Sequence, residues 1–236
     1  MPAREVGRVA SLWRYPVKSM ASESLEETEV SWHGLRGDRR WAFVRDGVSH
    51  SGFPWLTMRE KPLMAHYRPF FLEPTKPDSS PTLVRTPLGE SLNVVDPHLA
   101  RELGEGVRVI KHDVGIFDVF PLTLMSSQTV DGLAALTGGP VNACRFRPNF
   151  LVNATDGARF PEDGWVGKVI RIGSLRLRID KRDKRCSLVS IDPETLVSDP
   201  NVLKTIVSER EACLGVYAST VTPGLVRVGD AVAVEE

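Results

Sequence analysis

The chain has 236 residues, three cysteines and equal numbers of basic and acidic side chains, 30 of each. This length suits one large β unit or two closely packed smaller ones, whose core needs neither disulfides nor a structural metal. The formal net charge of zero gives no support to a protein that binds nucleic acid or a membrane surface. Any basic site must therefore come from local clustering.

The cysteines and the apolar stretches bear on the compartment. Cys144, Cys186 and Cys213 are far apart and form no CxxC pair, which argues against a zinc ribbon, an iron–sulfur cluster and a thioredoxin-type motif. A low, odd count is typical of a reducing compartment. No stretch has the length and apolar character of a transmembrane helix or a secretory signal. We expect a cytoplasmic protein without a membrane partner.

The first half of the chain predicts short strands followed by one helix. Alternating apolar and polar residues predict strands over 6–13, 24–32, 40–45, 63–71, 82–86 and 91–95. The proline-rich residues 73–81 indicate a hairpin tip. Asp96 and Pro97 open a helix that ends at Gly104, because aspartate caps a helix and proline suits its first turn. A soft boundary near 112–121 divides the chain into regions 1–112 and 113–236.

The second half returns to strands. A helix is predicted from Ser126 to Gly138 and another from Asp199. Strands are predicted over 148–153, 166–172 and 175–179, and a hairpin joins 212–221 to 225–235. These elements predict a mainly β protein, an antiparallel β-barrel with a few short helices and an N-terminal β-barrel-like subdomain.

One cysteine stands in a basic run. Lys184 and Arg185 directly precede Cys186, which follows the alternating strand over 175–179. Neighbouring cations favour the thiolate, the form that acts as a nucleophile or as a ligand for a soft metal. The residues alone equally allow a surface loop with a free, solvated thiol.

Two turns near the N-terminus offer cationic groups. Lys18 and Ser19 follow a proline at the end of the first strand, where an ammonium and a hydroxyl can bind a phosphate or a pterin. The structural alternative is an ordinary strand end with a solvated lysine. Strand alternation sends Arg39 and Arg40 to opposite faces, so one points inward and needs an anionic partner. That partner is either a bound anion or the neighbouring Asp38.

A third basic segment lies before the strand at 148–153. Arg147 and Asn149 are two residues apart, so a common strand face would aim a guanidinium and an amide at one point. Such a pair suits a polar, anionic ligand. The alternative is an arginine that caps backbone carbonyls at a strand edge. Cys144 and Cys213 lie in apolar contexts and are predicted to be packed thiols.

Taken in order along the chain, these segments resemble the MOSC family (molybdenum cofactor sulfurase C-terminal domain) with its N-terminal β-barrel region. The resemblance covers nearly the whole chain, and it is to MOSC proteins of the amidoxime-reducing component type. The matching stretches are YPVKS at 15–19, GLR at 34–36, DR at 38–39, TMRE at 57–60, FRPN at 146–149, PEDGW at 161–165, RC at 185–186, DPET at 192–195 and GVY at 215–217.

The resemblance implies an enzyme that binds the molybdenum cofactor. In that family the cysteine of the RC block ligates molybdenum, which makes Cys186 the implied metal ligand and catalytic residue. The implied cofactor-binding residues, which hold the pterin and its phosphate or lie near them, are Lys18, Ser19, Arg39, Arg147, Asn149, Arg185 and Tyr217. The resemblance leaves binding of pyridoxal phosphate open.

The implied reaction is the reduction of N-hydroxylated small molecules, such as hydroxylamino bases or amidoximes. Because the chain shows neither a ferredoxin-like domain nor an anchor, we expect the electrons to come from a separate donor protein. Two alternatives stay open. One is a carrier that hands on the cofactor, or sulfur through Cys186. The other is a β-barrel binding module in which this cysteine is incidental.

The sequence departs from the family pattern at two places. Val119 and Phe120 stand where amidoxime reducers carry hydroxyl residues before a proline, so some of the expected phosphate-binding groups are missing. Lys184 takes the position of a serine two residues before the cysteine.

Overall fold

The computed structural model of the protein describes residues 3–46 and 53–235, which form mainly strands with three α-helices. The strands of the first half are β1 (Ala3–Arg14), β2 (Glu23–Leu25), β3 (Glu27–Ser31), β4 (Gly34–Leu35), β5 (Trp41–Arg45), β6 (Arg68–Phe71), β7 (Thr82–Arg85), β8 (Ser91–Asn93) and β9 (Val107–Lys111). Those of the second half are β10 (Leu122–Ser126), β11 (Phe150–Ala154), β12 (Val169–Ile172), β13 (Leu175–Lys184), β14 (Cys213–Thr222), β15 (Gly224–Arg227) and β16 (Ala231–Glu235). The helices are α1 (Pro97–Leu103), α2 (Ser127–Thr137) and α3 (Pro200–Arg210).

Seven strands close a barrel in the order β11, β10, β14, β13, β12, β16 and β1, and β1 pairs back onto β11. The short strand β2 extends this sheet beyond β1. The predicted barrel is confirmed, and within the described residues all but one of its neighbouring strand pairs are antiparallel. The exception is β10 and β11, which run parallel and are joined through α2, the kind of crossover that a parallel pair needs.

The sequence of β1 shows why this strand belongs to the barrel. Val6, Val9 and Leu12 are buried against the barrel core, and a register shift after Val9 preserves the inward direction. At Gly7 a Cβ atom would lie 2.5 Å from the carbonyl oxygen of Asn153 on β11. Only glycine therefore permits this close approach of the two strands.

The rest of the N-terminal region forms smaller sheets. These sheets are β15–β3–β4, β5–β9 and β6–β7–β8. A second apolar core, which includes Phe43, Met64 and Leu99, packs beneath β5, β7 and α1. Because β1 lies in the barrel and β3 pairs with β15, the first 112 residues contribute strands to sheets built from the end of the chain. Within residues 3–46 and 53–235, no helix has the length and apolar character that crossing a bilayer requires.

The predicted helix starts are confirmed by their capping contacts. The side chain of Asp96 accepts a hydrogen bond from His98 N at 2.8 Å, and that of Asp199 accepts one from Asn201 N at 2.9 Å. Ser126 caps α2 in the same way. These contacts satisfy backbone donors that a helix leaves open at its N-terminus.

Several strand predictions are wrong. The first half of the predicted strand 63–71 is a 3-10 turn, Pro62–His66, with proline at its start. The predicted strand 24–32 divides into β2 and β3, and neither β9 nor β10 was predicted. All five residues of β10 are buried, so this strand shows no alternation. The predicted hairpin of 212–221 with 225–235 does not form, because β14 pairs with β13 and β10 whereas β15 pairs with β3.

Candidate active site

One cavity, here called the Cys186 cavity, lies where the end of the barrel meets the N-terminal region. Its wall comes from the turns after β1 and before β5, the loop between β9 and β10, the 3-10 turn Ala143–Phe146, the end of β13 and β14. Seven of the eight predicted site residues line it, namely Lys18, Ser19, Arg39, Arg147, Arg185, Cys186 and Tyr217. The eighth, Asn149, is not part of the wall.

Cys186 is exposed on the cavity wall, two residues beyond the end of β13. Its backbone is extended, and its carbonyl accepts a hydrogen bond from Val189 N at 3.2 Å in the 3-10 turn Ser187–Ser190. The thiol is thus solvated, as expected for a cysteine in a surface loop. It nevertheless lies in the same cavity wall as the predicted cations. Cys144 and Cys213 are half-buried free thiols.

Lys18 is not a solvated strand end. The residue is 7% exposed, and its ammonium pairs with Asp118 and donates to the carbonyl of Ile116 at 3.3 Å. Burial lowers the pKa of Lys18, and the carboxylate of Asp118 opposes this effect. The neighbouring Ser19 has a left-handed backbone with φ 66°, which turns the chain sharply at the cavity.

Arg39 and Arg147 lie over the ring of Tyr15, with Cζ atoms 4.7 and 4.1 Å from the ring centroid. Arg39 forms the predicted ion pair with Asp38 and also donates to the carbonyl of Arg147 at 3.0 Å. Arg147 caps the carbonyl of Met20 at 2.7 Å, yet its buried Nη2 finds no hydrogen-bond partner within the described part of the chain. Desolvation lowers the pKa of Arg147 to about 10.

Asn149 lies behind this wall, fully buried. Its amide nitrogen donates to the carbonyl of Trp13 and to Asp38, both at 3.2 Å, and its oxygen accepts from Thr123 N at 3.1 Å. The expected strand face shared with Arg147 is wrong, because Arg147 has a left-handed backbone (φ 52°) before β11 begins. Asn149 therefore braces the cavity wall from behind.

Arg185 is held rigidly in the wall. Its Nε donates to the carbonyl of Leu214 at 2.8 Å, and its Nη1 donates to the carbonyl of Phe146 at 2.9 Å. The same Nη1 lies 2.9 Å from a carboxylate oxygen of Asp183. These contacts position the residue that precedes Cys186 in the chain.

Tyr217 lines the cavity from β14. Its ring stacks on Phe120, with 5.5 Å between centroids, and its hydroxyl is hydrogen-bonded to Asp183. Gly215, two residues earlier, has φ 71°, and a Cβ atom there would lie 2.9 Å from the carbonyl oxygen of Leu124. Glycine at this position lets β14 approach β10 closely and sets the placement of Tyr217.

The cavity wall carries an excess of positive charge. Seven cationic side chains face two carboxylates, those of Asp118 and Asp183. The cations are Lys18, Arg39, Arg59, Arg145, Arg147, Lys184 and Arg185. Neither carboxylate was singled out from the sequence. Arg145 is bound within the protein, since it pairs with Asp192 at 3.0 Å.

Comparison with known proteins places this fold in a family. The MOSC domain model matches residues 111–233, and the MOSC N-terminal beta barrel domain model matches residues 6–111. The chain is 26% identical to mitochondrial amidoxime-reducing component 1 of Mus musculus, over 97% of this chain and 82% of that protein. It is likewise 26% identical to mitochondrial amidoxime reducing component 2 of Homo sapiens, over 97% of this chain and 84% of that protein.

A solved structure agrees with the fold. The YUAD protein from Bacillus subtilis superposes with a TM-score of 0.54 and 13% identity, covering 99% of this chain and 98% of that one. At this identity the likeness concerns the fold alone. The two family models together span nearly the whole chain, so this protein belongs to the MOSC domain family and carries the MOSC N-terminal beta barrel domain ahead of the MOSC domain.

Proposed function

We propose that this protein is a molybdenum cofactor-binding oxidoreductase that reduces N-hydroxylated small molecules, such as hydroxylamino bases or amidoximes. A separate donor protein supplies the electrons. The observation that carries the proposal is the meeting of an exposed thiol, Cys186, with four predicted cations in one cavity. Similarity to the amidoxime-reducing components over 97% of the chain supports the reaction class. The three free cysteines support a reducing, cytoplasmic location.

The chemistry of the cavity fits an anionic group with a soft metal. Four of the seven cations are paired with carboxylates, and the other three, Arg59, Arg147 and Lys184, have no carboxylate partner in the described part of the chain, which leaves positive charge for a bound anion to neutralise. The buried Nη2 of Arg147 has no acceptor within the described residues, and an unsatisfied buried donor costs about 1–3 kcal/mol. A phosphate or pterin oxygen at this atom would remove that cost. A cysteine thiolate suits a soft metal centre.

Each part of the cofactor has candidate holders in this chain. Cys186 would ligate the metal, and Lys18, Ser19, Arg39 and Arg147 would hold the pterin and its phosphate. When bound, the molybdenum group would supply two-electron redox chemistry. The guanidinium groups of Arg39 and Arg147 are already fixed against Tyr15, so little side-chain freedom is lost when they bind an anion.

The aromatic part of the cavity wall suits a flat substrate. Phe117, Phe120 and Tyr217 line it, and the stacked pair of Phe120 and Tyr217 offers an aromatic surface to a planar ring. Lys184 also lines the cavity and adds an ammonium group to its wall.

The proposal is tested on protein made in a host that synthesises the cofactor. Elemental analysis and pterin fluorescence measure occupancy, and reduction of a hydroxylamino base by a chemical electron donor measures turnover. We expect molybdenum and turnover in the natural protein, and loss of turnover in Cys186→Ser because the metal loses its thiolate ligand. Cys213→Ser is the matched control, since this free cysteine lies outside the cavity wall.

Two results would change the assignment. Bound molybdenum without reduction by the natural protein would favour the carrier, for which the exposed thiol of Cys186 is also suited. Absence of both molybdenum and pterin would contradict the proposal and favour a β-barrel binding module.

A further inference from the structure

Asp183 is a buried carboxyl group in the wall of the Cys186 cavity. It is 2% exposed, although Lys181 and Lys184 of the same strand are exposed. The register of β13 against β14 shifts between Ile179 and Lys181, where two steps along β13 match one step along β14, and a bulge of this kind changes the face to which the following side chains point. The bulge thus brings an acidic group into a wall that is otherwise mainly cationic.

Four ionisable groups act on this carboxyl. Arg185 forms an ion pair with it at 2.9 Å, and the hydroxyl of Tyr217 is hydrogen-bonded to it. Arg39 and Asp118 exert weaker electrostatic effects of opposite sign. Burial outweighs the cations and raises the pKa of Asp183. The carboxyl therefore retains its proton to a higher pH than a solvated aspartate does.

The proposed reaction needs a proton at a defined atom. Reduction of R–NH–OH to R–NH2 and water consumes two electrons and two protons. When the N–O bond breaks, the oxygen departs as water if it receives a proton, and otherwise as the much poorer leaving group hydroxide. A carboxylic acid within reach of that oxygen serves as a general acid.

On the basis of the proposed function, we propose that Asp183 donates a proton to the departing oxygen of the substrate, while Tyr217 and Arg185 hold the carboxyl group of Asp183 at the cavity. The proton moves from the carboxyl group to the hydroxyl oxygen of the substrate as the N–O bond breaks, and water leaves. The two electrons come from the separate donor protein. The nitrogen takes the second proton from solvent, which also reprotonates Asp183 before the next turnover.

The test compares molybdenum-loaded Asp183→Asn with the natural protein. Asparagine keeps the size and much of the hydrogen bonding but cannot donate this proton. We expect the rate of hydroxylamino base reduction to fall about 100-fold or more, with unchanged molybdenum and pterin content. In the natural protein the rate should decline as the pH rises through the pKa of Asp183. That decline should be absent from Asp183→Asn, and Asp183→Glu should recover part of the rate.

The matched control is Asp180→Asn, which places the same substitution on β13 at a residue outside the cavity wall and should keep the full rate. A readout independent of turnover is the infrared band of a protonated carboxyl group. This band should titrate in the natural protein and be missing from Asp183→Asn. If Asp183→Asn does not fold, Tyr217→Phe removes only the hydroxyl contact and should displace the pH at which the rate declines.

The outcomes separate this inference from the proposed function. Full occupancy and a rate within twofold of the natural protein in Asp183→Asn would overturn the proton-donor role alone. Loss of molybdenum from Asp183→Asn would overturn it too, by assigning the carboxyl group to cofactor retention. A loaded natural protein that reduces no hydroxylamino base would contradict the proposed function, and the proton-donor role would fall with it.

Discussion

The barrel interior and the wall of the Cys186 cavity are built on the same strands. On β13 the fully buried Leu177 and Ile179 pack into the barrel core, whereas Asp183, further along, lines the cavity. On β14 the buried Val216 is followed directly by Tyr217, which faces the cavity. A single strand therefore serves both regions, and neighbouring positions meet different physical demands.

The two regions differ in how completely their own residues pair and pack with one another. The barrel core consists of apolar side chains whose burial stabilises the fold without a ligand. The cavity wall holds Arg147, with an unpartnered nitrogen, and three of the six described non-glycine residues with positive φ, namely Ser19, Arg39 and Arg147. Such backbone conformations cost about 1–3 kcal/mol each and cluster at functional sites. The barrel thus stabilises a wall that is itself strained and incompletely paired.

The largest expected loss of stability comes from the barrel. Phe150 on β11 is fully buried, and its replacement in Phe150→Ala leaves a cavity among apolar side chains. We expect the free energy of unfolding to fall by about 3–5 kcal/mol, measured by urea denaturation. Phe150→Leu is the conservative control and should lose much less. Equal stability of Phe150→Ala and the natural protein would contradict the view that this core carries the fold.

Local signals explain which parts of the fold could be predicted. The helix starts at Asp96, Ser126 and Asp199 depend on capping within a few residues, so they can be read from the sequence. The partners of β1 and β15 lie far away in the chain, and periodicity says nothing about them. The hairpin predicted at the end of the chain was wrong for this reason.

Residues of the candidate site that stand in sequence motifs could be predicted, whereas residues whose position depends on the three-dimensional geometry could not. Lys18, Arg39 and Arg147 stand in motifs and do line the cavity. Asn149 stands in the same motif as Arg147 yet points into the protein, since strand alternation does not extend back to a residue with a left-handed backbone. Asp183 was not singled out because its burial depends on a bulge against β14.

A second substitution tests the cavity side of the comparison. Arg147→Ala removes an incompletely paired guanidinium together with its hydrogen bond to the carbonyl of Met20 and its contact with Tyr15, so we expect the cofactor-free protein to stay folded and to lose about 1–3 kcal/mol of stability. Cofactor occupancy should fall by about tenfold or more, the effect of losing a charge-assisted hydrogen bond. Urea denaturation and molybdenum content measure the two effects. Unchanged occupancy would show that Arg147 does not hold the cofactor.

The smallest expected effect concerns a buried acid outside the cavity wall. Glu162 is fully buried and accepts a hydrogen bond from the hydroxyl of Ser126 at 2.7 Å. Burial raises the pKa of Glu162. Its contribution to stability is therefore fully present below the pKa of the unfolded chain and is lost as the pH rises through the higher pKa of the folded state.

Glu162→Gln stays neutral at every pH and keeps an acceptor for Ser126. We expect the variant to be more stable than the natural protein at neutral pH by about 1 kcal/mol, because no buried charge must form. The difference should vanish below the ordinary glutamate pKa of about 4.3. Urea denaturation across this pH range measures it. A variant less stable at neutral pH would show that the fold uses this charge, and the contrast between a self-sufficient fold and an incompletely paired cavity wall would then fail at Glu162.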